Sequence, residues 1–304
     1  MAVALPAGVI VFERGWLSSN NILIQGEGGS ALIDSGYCTH AEQTLALVDS
    51  ALQGRPLNLL LNTHLHSDHC GGNAALQARY PALQTHIPPG HADYVRVWDA
   101  HALSYTPTGQ QCPRFHLNAT LQPGTEMRLG DLRWQVHAAP GHDPHSVILF
   151  EPQSRTLISA DALWERGFGV VFPELDGHNA FAEVGATLEL IATLDPRQVI
   201  PGHGAPFTGV NTALAYARSR LQVFVEFPER HRQYAAKVLL KFKLLEAQSL
   251  EREALFAWAS GTSYFAGLLS QAGAASARGA LEALVKDLVR SGAAIEVGSR
   301  IINA

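Results

Sequence analysis

The stretch His64-Leu65-His66-Ser67-Asp68-His69 puts three imidazoles and a carboxylate into six residues, directly after the apolar stretch Leu57 to Leu61. Borderline-soft divalent ions such as zinc favour this mixture of nitrogen and oxygen donors. If a strand breaks into an irregular turn after Thr63, His64 and His66 can face one ion while Asp68 and His69 face a second. A solvated polar loop is the plain alternative, but no structural role needs four such groups in one place.

Three later segments bring back the same kinds of ligand. Pro140-Gly141-His142 follows an expected strand, Ser159-Ala160-Asp161 ends another, and Pro201-Gly202-His203-Gly204 ends a third. Each sets one donor just past a strand, where loops at a sheet edge converge on a point. One such residue says little; four segments in order point to a built metal site.

With these segments in place the chain resembles the metallo-β-lactamase-fold hydrolase superfamily, across about residues 10–207. The resemblance rests on the HxHxDH run, the later Gly-His, the Asp and the final Gly-His. It implies an α+β fold, the four-layer αβ/βα sandwich, with a binuclear site for two divalent ions, usually zinc and in some branches iron or manganese. By that match His64, His66 and His142 bind the first ion, Asp68, His69 and His203 the second, and Asp161 bridges them. Asp34, in LIDSG, matches an early motif whose aspartate supports the site from behind; otherwise it is a strand-end turn residue. A bridging hydroxide then attacks a carbonyl or phosphoryl centre, with the developing oxyanion held by the ions. Asp68 is the catalytic candidate that orients the nucleophile or passes its proton on. His145, three positions after His142, is a second candidate proton donor, against a purely structural role.

Fold alone does not choose the substrate. Asp161 argues against a true β-lactamase, which typically lacks the bridging carboxylate. Asp68 and His69 fit the hydrolytic pattern and not that of the di-iron redox branch. The basic C-terminal glutathione-binding motif of the glutathione thioesterases is absent, and PGHGAPF differs from their final ligand segment. The leading expectation is a small ester, thioester or lactone as substrate. Trp164, Phe168 and Phe172, with Trp98 and Tyr105 from an irregular insertion over residues 88–125, are candidates for an apolar wall. The alternative is an endoribonuclease-like enzyme acting on single-stranded RNA. It draws on the tail and on Arg230, Lys237 and Lys241, which fall within about 20° of one direction on an ideal helix. A regulatory protein that merely retains metal is the weakest reading, because no ligand is missing.

Length and composition set the frame. The 304 residues are 47% hydrophobic and 16% charged, which excludes a disordered chain. There is no apolar run of about 18 residues to span a bilayer and no basic leader before the N-terminal apolar stretch. Three cysteines cannot all pair; with the missing leader, they give an expected cytoplasmic location. Cys70 is read as a buried thiol or, less simply, a further ligand.

Net charge is −5 overall, but residues 1–209 carry −9 and residues 210–304 carry +4. That break predicts a catalytic domain over 1–209 and a helical, winged-helix-like domain over 210–304 that can cap the site or form a homodimer. In the first, strands are expected at 21–25, 30–34, 57–62, 126–129, 132–138, 147–151, 156–159 and 198–200. Helices are expected at 40–53, 72–80 and 181–194. In the second, helices at 212–227, 230–248, 250–259, 264–271 and 277–291 precede a small β pair around Gly298.

Overall fold

In the computed structural model, whose described residues are 3–270 and 277–304, two sheets carry the first part of the chain. One runs β1 (Val9–Phe12), β2 (Asn21–Gly26), β3 (Gly29–Ile33), β4 (Leu59–Leu61), β5 (Gln84–Ile87), β6 (Ala119–Thr120), in that spatial order. The other is formed by β7 (Glu126–Leu129), β8 (Leu132–Ala138), β9 (Val147–Glu151), β10 (Thr156–Ala160) and β11 (Gln198–Pro201), ordered β11-β10-β9-β8-β7. β3, β4, β5 and β6 pair in parallel, and so do β10 and β11.

Strand alternation explains the layers, because successive side chains point to opposite faces. Ile22, Ile24, Ala31, Ile33 and Leu61 of the first sheet share one buried cluster with Trp134, Val136, Leu149, Ile158 and Ile200 of the second. The intervening residues Leu23, Leu32 and Leu60 point outward into a separate cluster with Val48, Leu52 and Leu76. These last three belong to helices α1 (Ala41–Leu52) and, after the short α2 (Ser67–Cys70), α3 (Asn73–Arg79). Strands buried on both faces read as unbroken apolar runs, which is what NILI, ALI and LLL are.

The second sheet repeats the pattern. Phe150, Leu157 and Val199 alternate with its sandwich residues and are buried too. After α4 (Ala92–Val97), α5 (Tyr105–Thr108) and α6 (Phe172–Leu175), helix α7 (Ala180–Leu194) presents the buried stripe Phe181, Val184, Leu188 and Ile191. This is the αβ/βα sandwich that the motif order predicts.

The chain divides into two units, Met1–Leu103 with Gln111–Gln222, and Ser104–Gln110 with Val223–Ala304. The division falls later than the expected boundary after Gly209. The helix α8 (Val210–Glu226) starts at the expected boundary, and its Arg218 pairs with Glu189 of α7 at 2.8 Å. In the second unit, α9 (Pro228–Ala247), β12 (Ser249–Glu251), α10 (Arg252–Gly261), α11 (Ser263–Ser270) and α12 (Ala277–Arg290) precede the hairpin β13 (Ala294–Val297) and β14 (Arg300–Asn303). β12 pairs with β14, giving the order β12-β14-β13. Gln271, the expected end of one helix, lies outside the described residues. Among the described residues no helix is long and apolar enough to cross a membrane.

Leu60 is 0% exposed between the first sheet and its helices. Leu60→Ala is expected to cost about 2–5 kcal/mol in urea unfolding; a loss under about 1 kcal/mol would contradict this packing.

Candidate metal centre

Three local devices place the ligands. β4 ends at Leu61, and the chain turns through Asn62 and Thr63 into the short α2, which carries Asp68 and His69 on one turn. The loop after β3 clasps that turn: Asp34 N–H donates to Leu61 O (2.8 Å) and Ser35 N–H to His69 O (2.7 Å). Asp34 itself sits at φ 57°, a left-handed conformation that a non-glycine residue keeps only where its surroundings impose it. Its Oδ1 accepts from Thr63 N (2.9 Å), and its Oδ2 accepts from Thr63 Oγ1 (2.8 Å) and from His69 Nδ1 (2.7 Å). The aspartate thus works from behind the site and is more than a turn residue.

On the second sheet, β10 ends in a register shift and a left-handed Ala160 (φ 46°), which turns Asp161 out of the strand. Gly202 lies so close that a Cβ there would meet Asp161 Oδ1 at 2.3 Å, so only glycine lets the His203 loop approach. His142 Nδ1 donates to Val170 O at 2.5 Å, which aims Nε2 inward.

The seven side chains meet at one point. His142 Nε2 stands 3.3 Å from His64 Nε2, 2.8 Å from His66 Nδ1 and 3.3 Å from Asp161 Oδ2. His203 Nε2 is 3.1 Å from Asp68 Oδ2 and 3.8 Å from Asp161 Oδ1. His69 Nε2 lies 3.7 Å from Asp68 Oδ2 and 3.5 Å from Asp161 Oδ1. Asp161 therefore turns one oxygen to each group. Ligand bonds of about 2.0–2.1 Å in a tetrahedron put neighbouring donor atoms roughly 3.3 Å apart, and these separations bracket that figure.

The donor chemistry also fits a cation. His69 Nε2 is buried without a hydrogen-bond partner, while Nδ1 is fixed by Asp34, an arrangement that aims Nε2 between the carboxylates of Asp68 and Asp161. Burial, with the neighbouring rings of His69, His66 and His142, holds His64 well below the ordinary histidine range. Burial and then His142 push His66 down to about 4. Burial also opposes charge on His69, but Asp34, Asp161 and Asp68 outweigh it and hold the ring well above that range. Burial opposes charge on Asp161 as well, yet His203 and His69 keep its carboxyl well below the carboxylate range.

The other candidates separate. His145 packs its ring edge-on against His91 (4.6 Å) and belongs to none of the grouped ligand atoms. Cys70 is buried, with Sγ directed at Leu65 O and His66 O, and is not in those groups either. Phe172 stands edge-on to His66 and His142, at 4.9 and 5.7 Å. Trp164 reaches His203 (5.6 Å) and donates from Nε1 to Asp161 Oδ1 (3.2 Å).

Of the rest of the expected apolar wall, Phe168 is 1% exposed in the interior and Trp98 packs on Phe115; Tyr105 belongs to the second unit. The expected phosphate-tracking strip is used internally: Arg230 covers Phe227, Lys237 pairs with Asp287 at 2.9 Å, and Lys241 binds Ala293 O, Asn303 Oδ1 and Ala304 O.

Two residues at the site escaped sequence reading. Trp16 stacks on His203 at 5.3 Å, although it precedes β2 and has no motif around it. Asp143 is buried 3.9 Å from His66 Nε2; its place beside His142 in GHDPHS was the available signal.

Comparison with known proteins follows the same residues. The profile of the family described as the Metallo-beta-lactamase superfamily matches residues 14–203. A hydroxyacylglutathione hydrolase of Anaeromyxobacter dehalogenans (strain 2CP-C) is 31% identical over 221 residues, covering 70% of this chain and 74% of that protein. A metallo-beta-lactamase family protein from Thermus thermophilus is similar in fold over 99% of this chain and 100% of its own, with TM-score 0.60 and 20% identity. A structure solved in a di-iron-bound form is 28% identical with TM-score 0.55, covering 69% of this chain and 98% of that one.

Removing the Asp34 carboxylate frees the His69 ring and leaves the Thr63 N–H unpartnered. Asp34→Ala is expected to weaken divalent-metal affinity roughly 10–100-fold in titrations against a chromophoric chelator. Unchanged affinity would show that Asp34 does not set the ring.

Proposed function

The chain belongs to the metallo-β-lactamase superfamily and is a metal-dependent hydrolase, and from that premise we propose that it cleaves a small thioester or a related ester or lactone at a binuclear zinc centre. In this reading His64, His66 and His142 hold one ion, Asp68, His69 and His203 the other, and Asp161 lies between. The observation that carries it is the buried His69 Nε2, which has no hydrogen-bond partner and faces the carboxylates of Asp68 and Asp161 at 3.7 and 3.5 Å, an arrangement that suits a bound cation.

When bound, two divalent ions lower the pKa of water toward neutrality and polarise the bond under attack. The chain's own residues do the rest. Asp34 and Val170 O fix the tautomers of His69 and His142. Asp68 keeps 14% of its side chain exposed, against 6% for Asp161 and 4% for His203, so it is the carboxylate open to substrate. We assign it the orientation of the attacking water and transfer of a proton to the leaving group. His145 has no part in this reading.

Thioester leads among the acyl classes because a relative at 31% identity is a hydroxyacylglutathione hydrolase. The absent glutathione motif leaves the thiol half of the substrate open. The RNA alternative finds no support among these relatives. For the second unit, the helices with a sheet ordered β12-β14-β13 support a winged-helix-like reading.

The test is a panel of acetyl and phenylacetyl thioesters, aryl esters and lactones. Hydrolysis is expected to vanish on chelation and to return with two equivalents of zinc. Asp68→Asn, with metal content measured alongside, is expected to lower kcat by about 100-fold or more. Cleavage of single-stranded RNA with no acyl substrate turned over would refute the reading.

A further inference from the structure

One aromatic side chain beside the centre takes no part in holding it. Trp16 is 56% exposed, yet its indole lies flat on the His203 ring, with an interplanar angle of 12° and centroids 5.3 Å apart. Trp164 meets it edge-on at 5.2 Å and 70°. Trp164 is itself tied to Asp161 Oδ1 through Nε1, so the two indoles form a corner against the Asp68, His69 and His203 group.

The loop that carries Trp16 is not a loose tail. Leu17, Ser18, Ser19 and Asn20 are buried directly after it. Ser19 N–H donates to Asp68 O (2.9 Å) and Asn20 N–H to Gly202 O (2.7 Å), while Asn20 Nδ2 donates to Pro201 O (2.9 Å) and Gly204 O (2.7 Å). The exposed indole is therefore pinned to the backbone of the two loops that carry Asp68 and His203. A large apolar ring fixed in the open beside converging polar groups is the composition of a ligand site, not of a packing surface.

We propose that Trp16 and Trp164 form a substrate subsite that takes a flat aromatic or arylalkyl group carried on the scissile thioester or ester. The subsite deepens the hydrolase reading and rests on it for the bond that is cut. An aryl group there stacks against Trp16 and meets the edge of Trp164, the offset and edge-on geometries that aromatic rings prefer. Acetyl substrates are too short to use it, so the subsite acts through discrimination between acyl or thiol groups.

Two measurements separate this proposal from the reading beneath it. The first is calorimetric binding of phenylacetate and acetate to the zinc-loaded protein, which needs no turnover. The ratio of phenylacetate to acetate affinity is expected to fall roughly three- to tenfold in Trp16→Ala and to be largely kept in Trp16→Phe. The second is the ratio of kcat/KM for phenylacetyl over acetyl thioester, expected to fall by a similar factor, mostly through KM. Loss of both ligands in equal proportion, or an unchanged ratio in Trp16→Ala, overturns the subsite. If no thioester is turned over but the binding ratio falls as expected, the hydrolase reading fails and the aromatic subsite stands.

Discussion

Everything near the centre of this molecule answers to one electrostatic constraint: five imidazoles and two carboxylates share a space a few ångströms across, almost out of water. Buried charges and polar atoms are costly unless paired, and here the pairing within the cluster is incomplete. His69 Nε2 has no hydrogen-bond partner, and His66 and His142 approach nitrogen to nitrogen at 2.8 Å. Such a cluster is stable when a cation takes the lone pairs that point inward. Around it, groups facing outward are satisfied one by one, His69 Nδ1 by Asp34 and His142 Nδ1 by Val170 O.

The fold serves this constraint by confining irregularity to the sheet ends. The inner strands β2, β3, β4, β9 and β10 are buried on both faces, so they provide a firm base, and the irregular backbone lies where strands stop. Asp34 and Ala160 are left-handed without being glycine, and each stands at the end of a strand beside the ligands. One presents the carboxylate that steers His69; the other turns Asp161 between the two groups. The same ends receive the Trp16 loop, whose backbone is tied to Asp68 and to Gly202. Recognition and metal binding are thereby mounted on one frame.

How much of this could be read in the chain follows from how local each cause is. The convergence of the candidate ligands is legible because their chemistry and order suffice: HLHSDH, Gly141-His142, Asp161 and Gly202-His203 all meet in the structure. β7, β8 and β9 were legible in full, since alternation or an apolar run bounded by turns fixes a strand. β1, β5, β6 and β12 were not, being short strands with little pattern of their own. The charge break coincides with the start of α8, whereas most of that helix groups with the first unit. Trp98 and Phe168 look like a substrate wall by composition, but Trp98 packs on Phe115 and Phe168 is buried in the interior. Trp16 was invisible for the opposite reason: its place on His203 depends on hydrogen bonds to residues far away in sequence, which no spacing encodes.

That the buried cluster is a binuclear metal site is tested most directly by anomalous diffraction from crystals grown with zinc. Two peaks are expected, one bonded to His64, His66 and His142 and the other to Asp68, His69 and His203, with Asp161 reaching both. A single peak, or zinc bound away from these seven residues, would contradict it.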